Sequence, residues 1–488
     1  MGINFKIVAK TVGVILVFVG AFNFIPILYS LYYSDDNYLS FLFSALICLA
    51  VGTPLALLKT VDRQLRKREG YLIVAIGWLG LCLFGALPYL FSGVNINFAN
   101  AFFESTSGFT TTGSTIFDDI ESLPESILIW RSLSQWIGAM GIIVFTVAIF
   151  PILGIGGVEL FTAETPGPSN QKLHPRIAGV AKRLWLIYLG LTVLCFILLK
   201  FLGGMTPFDA INHTFTTMAT GGYSTKDASI GYFNSPLIEY IIMMFIFISG
   251  TNYTILYYLF KGRWKNAWAS EEFRFYLKLI PFIFLCGTVC LYFTSDYGIE
   301  ESFRYFSFNA LSIITTTGYV TADYTSWGPG FVIIFLCLIF MGACAGSTSG
   351  GIKMIRHLVF IKNGLLEFKR ILHPRAIIRL KLDGQIVKGG VMMQILVFLL
   401  FYIILFIVAT FVMSTQTQGL DQPFITAIGA AASCLSNVGP AIGDVGPVDT
   451  FAKLNDFSKV FLSVLMIIGR LELFTILILF TTFFWRNN

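Results

Sequence analysis

Charged residues are scarce in this sequence. Asp, Glu, Lys and Arg together supply only 12% of the 488 residues, whereas hydrophobic residues supply 56%. A soluble protein usually carries about twice that share of charge, because its surface must be hydrated. The shortage of charge excludes an ordinary soluble globular protein and predicts a polytopic membrane protein whose outer surface contacts the lipid bilayer.

Motifs of enzymes and of nucleotide or metal sites are also missing. The sequence contains neither a Walker A segment nor a zinc motif of the H-E-x-x-H type. Ser347 or Ser349, with His357 as base, would be the candidate for an intramembrane enzyme, but they do not form a G-x-S-x-G elbow. We therefore expect neither an enzyme nor an organic cofactor in this chain. Any control by a nucleotide would require another subunit.

The eight cysteines all fall within apolar stretches. Cys286 and Cys290 are spaced to share one helix face, but no second pair matches them. We therefore expect the cysteines to be small buried hydrophobic residues rather than metal ligands or disulfides.

The charges that are present alternate along the chain. Basic residues gather at 59–70, 261–265 and 353–388, whereas acidic residues such as Asp118 and Glu300 gather in the alternate loops. This alternation follows the positive-inside rule and predicts that both termini are cytoplasmic. It also accounts for the net charge of +6 without a nucleic acid partner.

Apolar runs long enough to cross a bilayer occur about ten times. Four of the gaps between them, all on the predicted outer side, contain a shorter semi-polar stretch that cannot cross. We expect each of these stretches to dip into the membrane and return. The ten runs cover residues 8–30, 39–59, 71–92, 127–150, 183–203, 236–260, 274–295, 328–361, 389–413 and 457–484.

Each of the four short stretches ends in a run of small residues. These runs read TTTGS, ATGGY, TTTGY and SNVGP, and they align on their fourth residue, a glycine. Six positions before it every copy has a hydroxyl residue, and four positions before it every copy has an apolar one. Agreement at several positions in four segments predicts an internal repeat of about 100 residues. The hydroxyl residues are Ser107, Thr216, Ser312 and Ser433, and the apolar ones are Phe109, Met218, Ile314 and Leu435.

The predicted fold is an all-α polytopic membrane protein. Four tandem span–pore helix–filter loop–span repeats surround a central pore, and two extra N-terminal spans precede them. We expect the N-terminal segment at residues 1–60 and the repeats at 61–170, 171–265, 266–375 and 376–488, the third with a broken second helix.

The four glycine-containing loops are candidates for a selectivity filter. Non-helical backbone at membrane depth persists only where it lines a cavity or is buried in protein. Rings of backbone carbonyls can replace the water around a dehydrated potassium ion, and glycine permits the dihedral angles that this needs. Helix-packing motifs or ordinary turns would explain one such run, whereas four in register favour a filter. The candidate residues are Thr110, Thr111, Thr112, Gly113, Ala219, Thr220, Gly221, Gly222, Thr315, Thr316, Thr317, Gly318, Ser436, Asn437, Val438 and Gly439.

Three polar residues share one repeat position, nine before the aligned glycine. They are Glu104, His213 and Asn309, and the fourth copy has Ala430 there. We expect them to hold backbone groups of the pore helices and filter rather than to contact the ion.

A segment within the eighth apolar run is rich in small residues. Each glycine there weakens a helix by about 1 kcal/mol relative to alanine. We expect a broken helix whose flexible middle lies under the filter, although a helix-packing face is the alternative. The small residues of this segment are Gly342, Gly346, Ser347, Thr348, Ser349, Gly350 and Gly351.

The last apolar run contains two charged residues, Arg470 and Glu472. Charge within a membrane is costly, so such residues usually face a cavity or a partner. Either the two form a mutually compensating structural set, in which Arg470 anchors a neighbouring helix, or Arg470 faces a cavity.

The repeat plan and the four loop motifs resemble the TrkH/KtrB superfamily of potassium transporters over nearly the whole chain. The two extra N-terminal spans make the sequence more similar to the TrkH branch. The resemblance implies a fold related to tetrameric potassium channels, with the four aligned glycines in the filter, a gating loop in the third repeat and Arg470 below the filter. The fourth copy, SNVGP, departs most from the pattern.

The same resemblance implies partners and a location. It implies a homodimer in a bacterial cytoplasmic (inner) membrane, docked on a cytosolic ring of nucleotide-binding TrkA- or KtrA-like regulatory proteins. The basic segments at 172–183 and 263–278 are candidates for that contact, although lipid would attract the same charges.

We expect potassium uptake through a channel-like pathway, with K+ as the transported ion. A sodium- or proton-coupled potassium symporter is the alternative, because sequence motifs do not reveal coupling. An alternating-access carrier is disfavoured, since such carriers often have inverted repeats whereas these repeats all start and end inside.

Overall fold

The computed structural model describes residues 3–59, 66–94, 96–144, 173–387 and 389–486. Part of the first basic cluster (60–65), the end of the fourth predicted span (145–150) and the predicted boundary at residue 170 lie outside the described residues. The described segments are almost entirely helical, with one short β-hairpin formed by β1 (Lys381–Leu382) and β2 (Gln385–Ile386).

The chain begins with a helical unit that precedes the repeats. It consists of α1 (Phe5–Phe22), α2 (Phe24–Tyr33) and α3 (Tyr38–Ala56). Helices α1 and α3 pack closely because glycines face each other: a Cβ atom added to Gly13 would lie 2.5 Å from the Leu55 Cβ atom. Close approach through small residues is typical of helices packed within membranes.

The first repeat begins with α4 (Lys67–Gly85) and the short α5 (Leu87–Phe91), continues with α6 (Phe98–Phe109) and ends with α7 (Glu125–Val144). The second contains α8 (Leu173–Ile197), α9 (Pro207–Ala219), α10 (Pro236–Ser249), α11 (Tyr253–Phe260) and α12 (Trp264–Ala269).

The third repeat contains α13 (Glu271–Thr294), α14 (Ile299–Ile314), α15 (Pro329–Ile339) and α16 (Met354–Leu372). The fourth contains α17 (Gly389–Gln416), α18 (Pro423–Ser436), α19 (Asp456–Arg470), α20 (Phe474–Leu477) and α21 (Thr482–Trp485).

Helices long and apolar enough to cross a membrane recur through the described part of the chain. Six unbroken stretches meet this test, and two further pairs of helices meet it when each bent pair is taken as one span. The protein is therefore a multi-pass membrane protein. The six stretches are Phe5–Tyr33, Tyr38–Ala56, Lys67–Phe91, Ala181–Leu202, Glu271–Thr294 and Gly389–Gln416.

The four short stretches predicted to dip into the membrane are the pore helices α6, α9, α14 and α18. They have 12, 13, 16 and 14 residues, which at about 1.5 Å per residue is too short for a 30 Å hydrocarbon core. Side chains of Asn97 and Thr206 cap the first two by accepting from backbone N–H groups. Each helix ends three or four residues before an aligned glycine.

Two spans predicted to be continuous are sharply bent. Helices α10 and α11 meet at 103°, and α19 meets the segment Phe474–Phe480 at 106°. At the first bend, Asn252 starts a new helix by accepting a hydrogen bond from the Thr254 N–H group. At the second, Glu472 and Leu473 have positive φ angles of 57° and 43°, which an α-helix does not accommodate.

The break expected in the eighth span lies between α15 and α16.

The prediction that every cysteine is buried is wrong for three of them: Cys286, Cys290 and Cys337 are exposed on α13 and α15. The lipid-facing side of a membrane helix is as apolar as its buried side, so sequence alone does not distinguish the two.

Candidate functional site: four filter loops above an intramembrane loop

The four filter loops share one backbone conformation. The aligned glycines all have φ angles between 80° and 105°, and the residue two positions before each glycine has a φ angle between 51° and 57°. A positive φ costs a non-glycine residue about 1–2 kcal/mol, so its recurrence at one repeat position indicates a constrained structure. These residues are Thr111, Thr220, Thr316 and Asn437.

The loops form a closed ring. A Cβ atom added to each aligned glycine would lie against the carbonyl oxygen that immediately precedes the aligned glycine of the next loop. The chain order 1–2–3–4 is therefore also the order around the ring. The distances are 2.2 Å from Gly113 to Gly221, 2.0 Å from Gly222 to Thr317, 2.2 Å from Gly318 to Val438 and 2.7 Å from Gly439 to Thr112.

Threonine side chains stabilise loops 1 and 3 in the same way. The Thr110 and Thr112 hydroxyls lie 2.7 Å apart, and the Thr315 and Thr317 hydroxyls lie 2.8 Å apart. Loop 2 has Ala219 and Gly221 at these two positions and lacks both hydroxyls.

Loop 4 is held by a different contact. The Asn437 side-chain amide donates to the Thr112 hydroxyl of loop 1 at 3.0 Å and to the Met466 carbonyl at 2.9 Å. The most divergent loop is thus fastened to its ring neighbour by its own side chain.

Two of the four aligned hydroxyl residues hold their own loops from behind. Ser312 donates to the Tyr319 carbonyl at 2.8 Å, and Ser433 donates to the Gly439 carbonyl at 2.7 Å. Thr216 bonds instead to the Tyr319 hydroxyl of the neighbouring loop. The Tyr319 hydroxyl also donates to the His213 carbonyl at 3.1 Å, and so braces loop 3 against α9.

The polar residues nine positions before each glycine contact the chain that follows it. Glu104 accepts from the Ile116 N–H group at 3.0 Å, and a His213 ring nitrogen lies 3.0 Å from the Ser224 hydroxyl. Asn309 donates to the Thr321 hydroxyl at 3.1 Å.

The partner of Glu104 is a residue outside the repeat positions aligned above. Arg131 on α7 forms an ion pair with it at 2.8 Å, and both side chains are buried. Arg131 also donates to the Ser224 carbonyl of loop 2 at 3.1 Å and lies 4.2 Å from the centre of the Tyr223 ring. A lone arginine inside an apolar run was the available signal, because such a charge needs a partner.

A cavity of about 120 Å³ lies against the ring, on the side that the sequence predicts to be the outer one. Its lining includes all four aligned glycines and the acidic residues Asp118, Asp227 and Asp449. Lys226 also lines it but pairs with Glu121 at 3.2 Å. Burial opposes the charge of Lys226, yet the hydrogen bond and charge of Glu121 raise its pKa above the usual value. The acidic residues favour the approach of a cation.

The loop between α15 and α16, residues 340–353, lies against the inner end of the ring. Thr220 of loop 2 donates to the Thr348 hydroxyl at 3.1 Å, and the Gly350 N–H group donates to the Thr316 hydroxyl of loop 3 at 2.6 Å. A Cβ atom added to Gly350 would lie 2.6 Å from the Ser436 carbonyl of loop 4. The intramembrane loop therefore contacts three of the four filter loops.

Two other elements fasten the intramembrane loop. At the bend of the second repeat, the Cys344 N–H group donates to the Gly250 carbonyl at 3.0 Å. At the start of α13, one carboxylate oxygen of Glu272 accepts from the N–H groups of Ala345 at 2.7 Å and of Ile355 at 3.0 Å. Glu272 thus connects the two sides of the loop, and no local sequence pattern indicated this contact.

Two buried basic side chains donate hydrogen bonds to backbone carbonyls of the intramembrane loop. Lys353 donates to the Ser349 carbonyl and lies 3.3 Å from its hydroxyl, and Arg470 donates to the Thr348 carbonyl at 2.9 Å. Two nitrogens of Arg470, Nε and Nη2, have no hydrogen-bond partner among the described residues.

The alternative in which Arg470 and Glu472 compensate each other is wrong. Glu472 pairs instead with Arg356 on α16. The chain turns sharply after Arg470, which separates the two side chains and sends them to different partners.

Within the described residues, no cluster of three or more His, Cys, Asp or Glu side chains could hold a metal ion.

Comparisons with known proteins agree along the whole chain. A family model described as TrkH, cation transport protein, matches residues 40–486. The chain is 41% identical to the Trk system potassium uptake protein TrkH of Escherichia coli K12, over 99% of this chain and all of that protein. It is 36% identical to TrkG of the same organism over 95% of each chain. The crystal structure of the potassium transporter TrkH from Vibrio parahaemolyticus superposes with a TM-score of 0.90, at 37% identity, over 99% of this chain and all of that chain.

Proposed function

Because this chain belongs to the TrkH family of cation transport proteins, we propose that it carries potassium ions into the cell through the ring of four filter loops. The family is one of transporters rather than of enzymes. The observation that carries the proposal is the closed ring itself, in which four copies of one strained backbone meet around one axis.

Potassium would bind to backbone carbonyls of the filter loops. Carbonyl dipoles replace water ligands without a fixed charge that would trap the ion. The acidic residues of the outer cavity would raise the local cation concentration. The C-terminal ends of the four pore helices, which carry partial negative charge, point towards the same region and would stabilise the ion further.

The intramembrane loop would act as a gate. It is fastened at its two ends by Glu272 and contacts three filter loops through hydrogen bonds and close packing. Arg470 places a positive charge on this loop, and a buried positive charge raises the barrier to a cation. Opening would require the Arg470–Thr348 contact to break or the loop to move with its arginine.

Conduction of the channel type fits this arrangement better than coupled transport. Glu104, a buried carboxylate behind loop 1, is neutralised by Arg131 and holds the backbone that follows this loop. A sodium- or proton-coupled symporter remains the second candidate, and it would require a driving-ion site connected to this same pathway.

The assembly and location follow from the family. We propose a homodimer in the bacterial cytoplasmic (inner) membrane, with both termini in the cytoplasm and a cytosolic ring of nucleotide-binding TrkA- or KtrA-like proteins as the regulator. Basic residues of α16, including Lys369 and Arg370, lie towards the predicted cytoplasmic side. The repeat boundaries at 61, 171, 266 and 376 stand as part of the same proposal.

Rubidium uptake into liposomes tests the function. Liposomes that contain the purified protein are loaded with potassium, and an outward potassium gradient drives uptake of external rubidium. Uptake that is blocked by external potassium, and that does not respond to sodium or proton gradients, is the expected result. Uptake that requires either gradient would replace the channel mechanism by the coupled one, and the absence of potassium-sensitive uptake would refute the proposal.

A further inference from the structure

Among the described residues, one of the four carbonyls that immediately precede the aligned glycines accepts a side-chain hydrogen bond, and the other three do not. The side-chain amide of Gln135, on α7, donates from Nε2 to the Gly221 carbonyl at 2.6 Å. Its Oε1 atom accepts from the Tyr223 N–H group at 3.2 Å. Gln135 is completely buried, so both contacts are made in a site that water does not compete for.

The same amide explains why loop 2 has two consecutive glycines. A Cβ atom added to Gly221 would lie 2.4 Å from both Cδ and Oε1 of Gln135. Gly221 does not have a positive φ angle, so its backbone conformation alone does not demand glycine. At this position loops 1 and 3 have Thr112 and Thr317, and loop 4 has Val438. The amide of Gln135 therefore occupies the space that a filter side chain fills in the other loops.

The fourth repeat shows the converse arrangement, in which the helix lacks the amide and the facing loop has a side chain. Gly138 on α7 and Gly469 on α19 are equivalent, because an added Cβ atom would lie 1.9 Å from the Phe109 carbonyl and 2.0 Å from the Leu435 carbonyl, respectively. Three residues earlier, α7 has Gln135 and α19 has Met466. The loop that follows the fourth repeat around the ring has a threonine where loop 2 has glycine. The helix that carries an amide, Gln135, therefore faces a loop with glycine at this position, whereas the helix that carries Met466 faces a loop with the side chain of Thr112.

We propose that Gln135 is a positioning residue that sets ion discrimination by fixing the Gly221 carbonyl in the filter. The inference rests on the proposed function, since it assigns a role within the same ring of carbonyls. The Gly221 oxygen lies next to Gly113, so a change at Gln135 alters the junction between loops 1 and 2. The Gln135 hydrogen bond also occupies one of the two lone pairs of this oxygen, which leaves the Gly221 carbonyl less acceptor capacity for an ion.

The test combines an apolar variant of similar volume with a double-mutant cycle. Gln135→Leu retains most of the side-chain volume but leaves the Gly221 carbonyl and the Tyr223 N–H group without partners. Loss of one such hydrogen bond corresponds to a change of roughly five- to tenfold in an equilibrium constant. We expect the rubidium-over-sodium preference in liposome uptake to change by that factor, with the maximal rate affected less.

The cycle tests the spatial exchange directly. Gly221→Ala alone should disturb selectivity, because its Cβ atom meets the Gln135 amide, whereas Gly221→Ala combined with Gln135→Ala should be tolerated better than the single Gly221 variant. A positive coupling in selectivity supports the proposal, and strictly additive effects refute it, as does an unchanged ion preference in a folded Gln135→Leu protein. The Gly222→Ala variant distinguishes a failure of the role assigned to Gln135 from a failure of the filter assignment itself. If it alters selectivity while Gln135→Leu does not, only the role of Gln135 is refuted, but if neither does, the filter itself is wrongly placed.

Discussion

The filter glycines provide the sharpest prediction, because their backbone angle and their packing can be separated. Gly222 has a φ angle of 80°, and a Cβ atom there would lie 2.0 Å from the Thr317 carbonyl oxygen. Gly204, on the same predicted side of the membrane, has a φ angle of 73°, but nothing lies within 4 Å of its added Cβ atom. Alanine at either position incurs the positive-φ cost of about 1 kcal/mol. Only alanine at 222 also displaces a filter carbonyl.

The size of the displacement follows from the distance. Real Cβ atoms essentially never approach within 3.0 Å of another heavy atom, so the Thr317 carbonyl and the new methyl group must separate by about 1 Å. Binding sites generally need their ligating groups placed to within about 0.5 Å. We therefore expect Gly222→Ala to reduce the rubidium-over-sodium preference at least about tenfold, whereas Gly204→Ala should lower thermal stability slightly and leave the preference unchanged.

The assay is liposome uptake of rubidium at increasing external sodium, with thermal unfolding in detergent measured for each variant. Alanine substitutions at the four filter glycines should also differ in how strongly they reduce selectivity. Alanine at Gly439 needs a shift of only about 0.3 Å, since its distance is 2.7 Å, so it should have a milder effect than alanine at Gly222. Equal effects at Gly204 and Gly222, or unchanged selectivity in a folded Gly222 variant, would falsify the assignment of these carbonyls to the filter.

Three further predictions concern the gate and the buried charges. Arg470→Ala removes the hydrogen bond to Thr348 and a buried positive charge, so basal rubidium flux should rise, with Arg470→Lys intermediate; reduced flux would contradict this. Glu272→Ala removes the acceptor for both sides of the intramembrane loop and should likewise raise basal flux. Glu272→Gln retains an oxygen acceptor and should leave the flux unchanged. Identical behaviour of the two variants would show that these two hydrogen bonds do not hold the loop in place. Arg131→Met should destabilise the protein by about 3–5 kcal/mol in detergent unfolding, because Glu104 is left buried without its partner. Adding Glu104→Gln to this variant should restore much of the lost stability. If stability is not restored, the arginine acts through its other contacts.

The elements that recur four times could be predicted from the sequence. Short pore helices, the aligned glycines and the hydroxyl residues behind them are visible because each copy supports the others. The break at 340–353 was also predictable, since its glycines and serines are consecutive.

The features that occur once could not be predicted in this way. Gln135 lies 86 residues from Gly221, and Glu272 lies 73 residues from Ala345, so no local pattern connects them. The bend after Arg470 depends on two residues with left-handed backbone, and Leu473 is not a residue type that indicates such a conformation. Tertiary packing determines these details.

The closed ring has a consequence for how such a pore can change. In an assembly of four identical chains, every substitution appears four times, so any side chain that suits only one quadrant is excluded. Here Asn437 bridges to Thr112 in one quadrant alone, and Gln135 faces one glycine alone. Mutation can therefore adjust the affinity for a passing ion in single steps rather than in multiples of four. Joining four filter loops in one polypeptide gives up exact fourfold symmetry, but it allows the side chains around each loop to change separately.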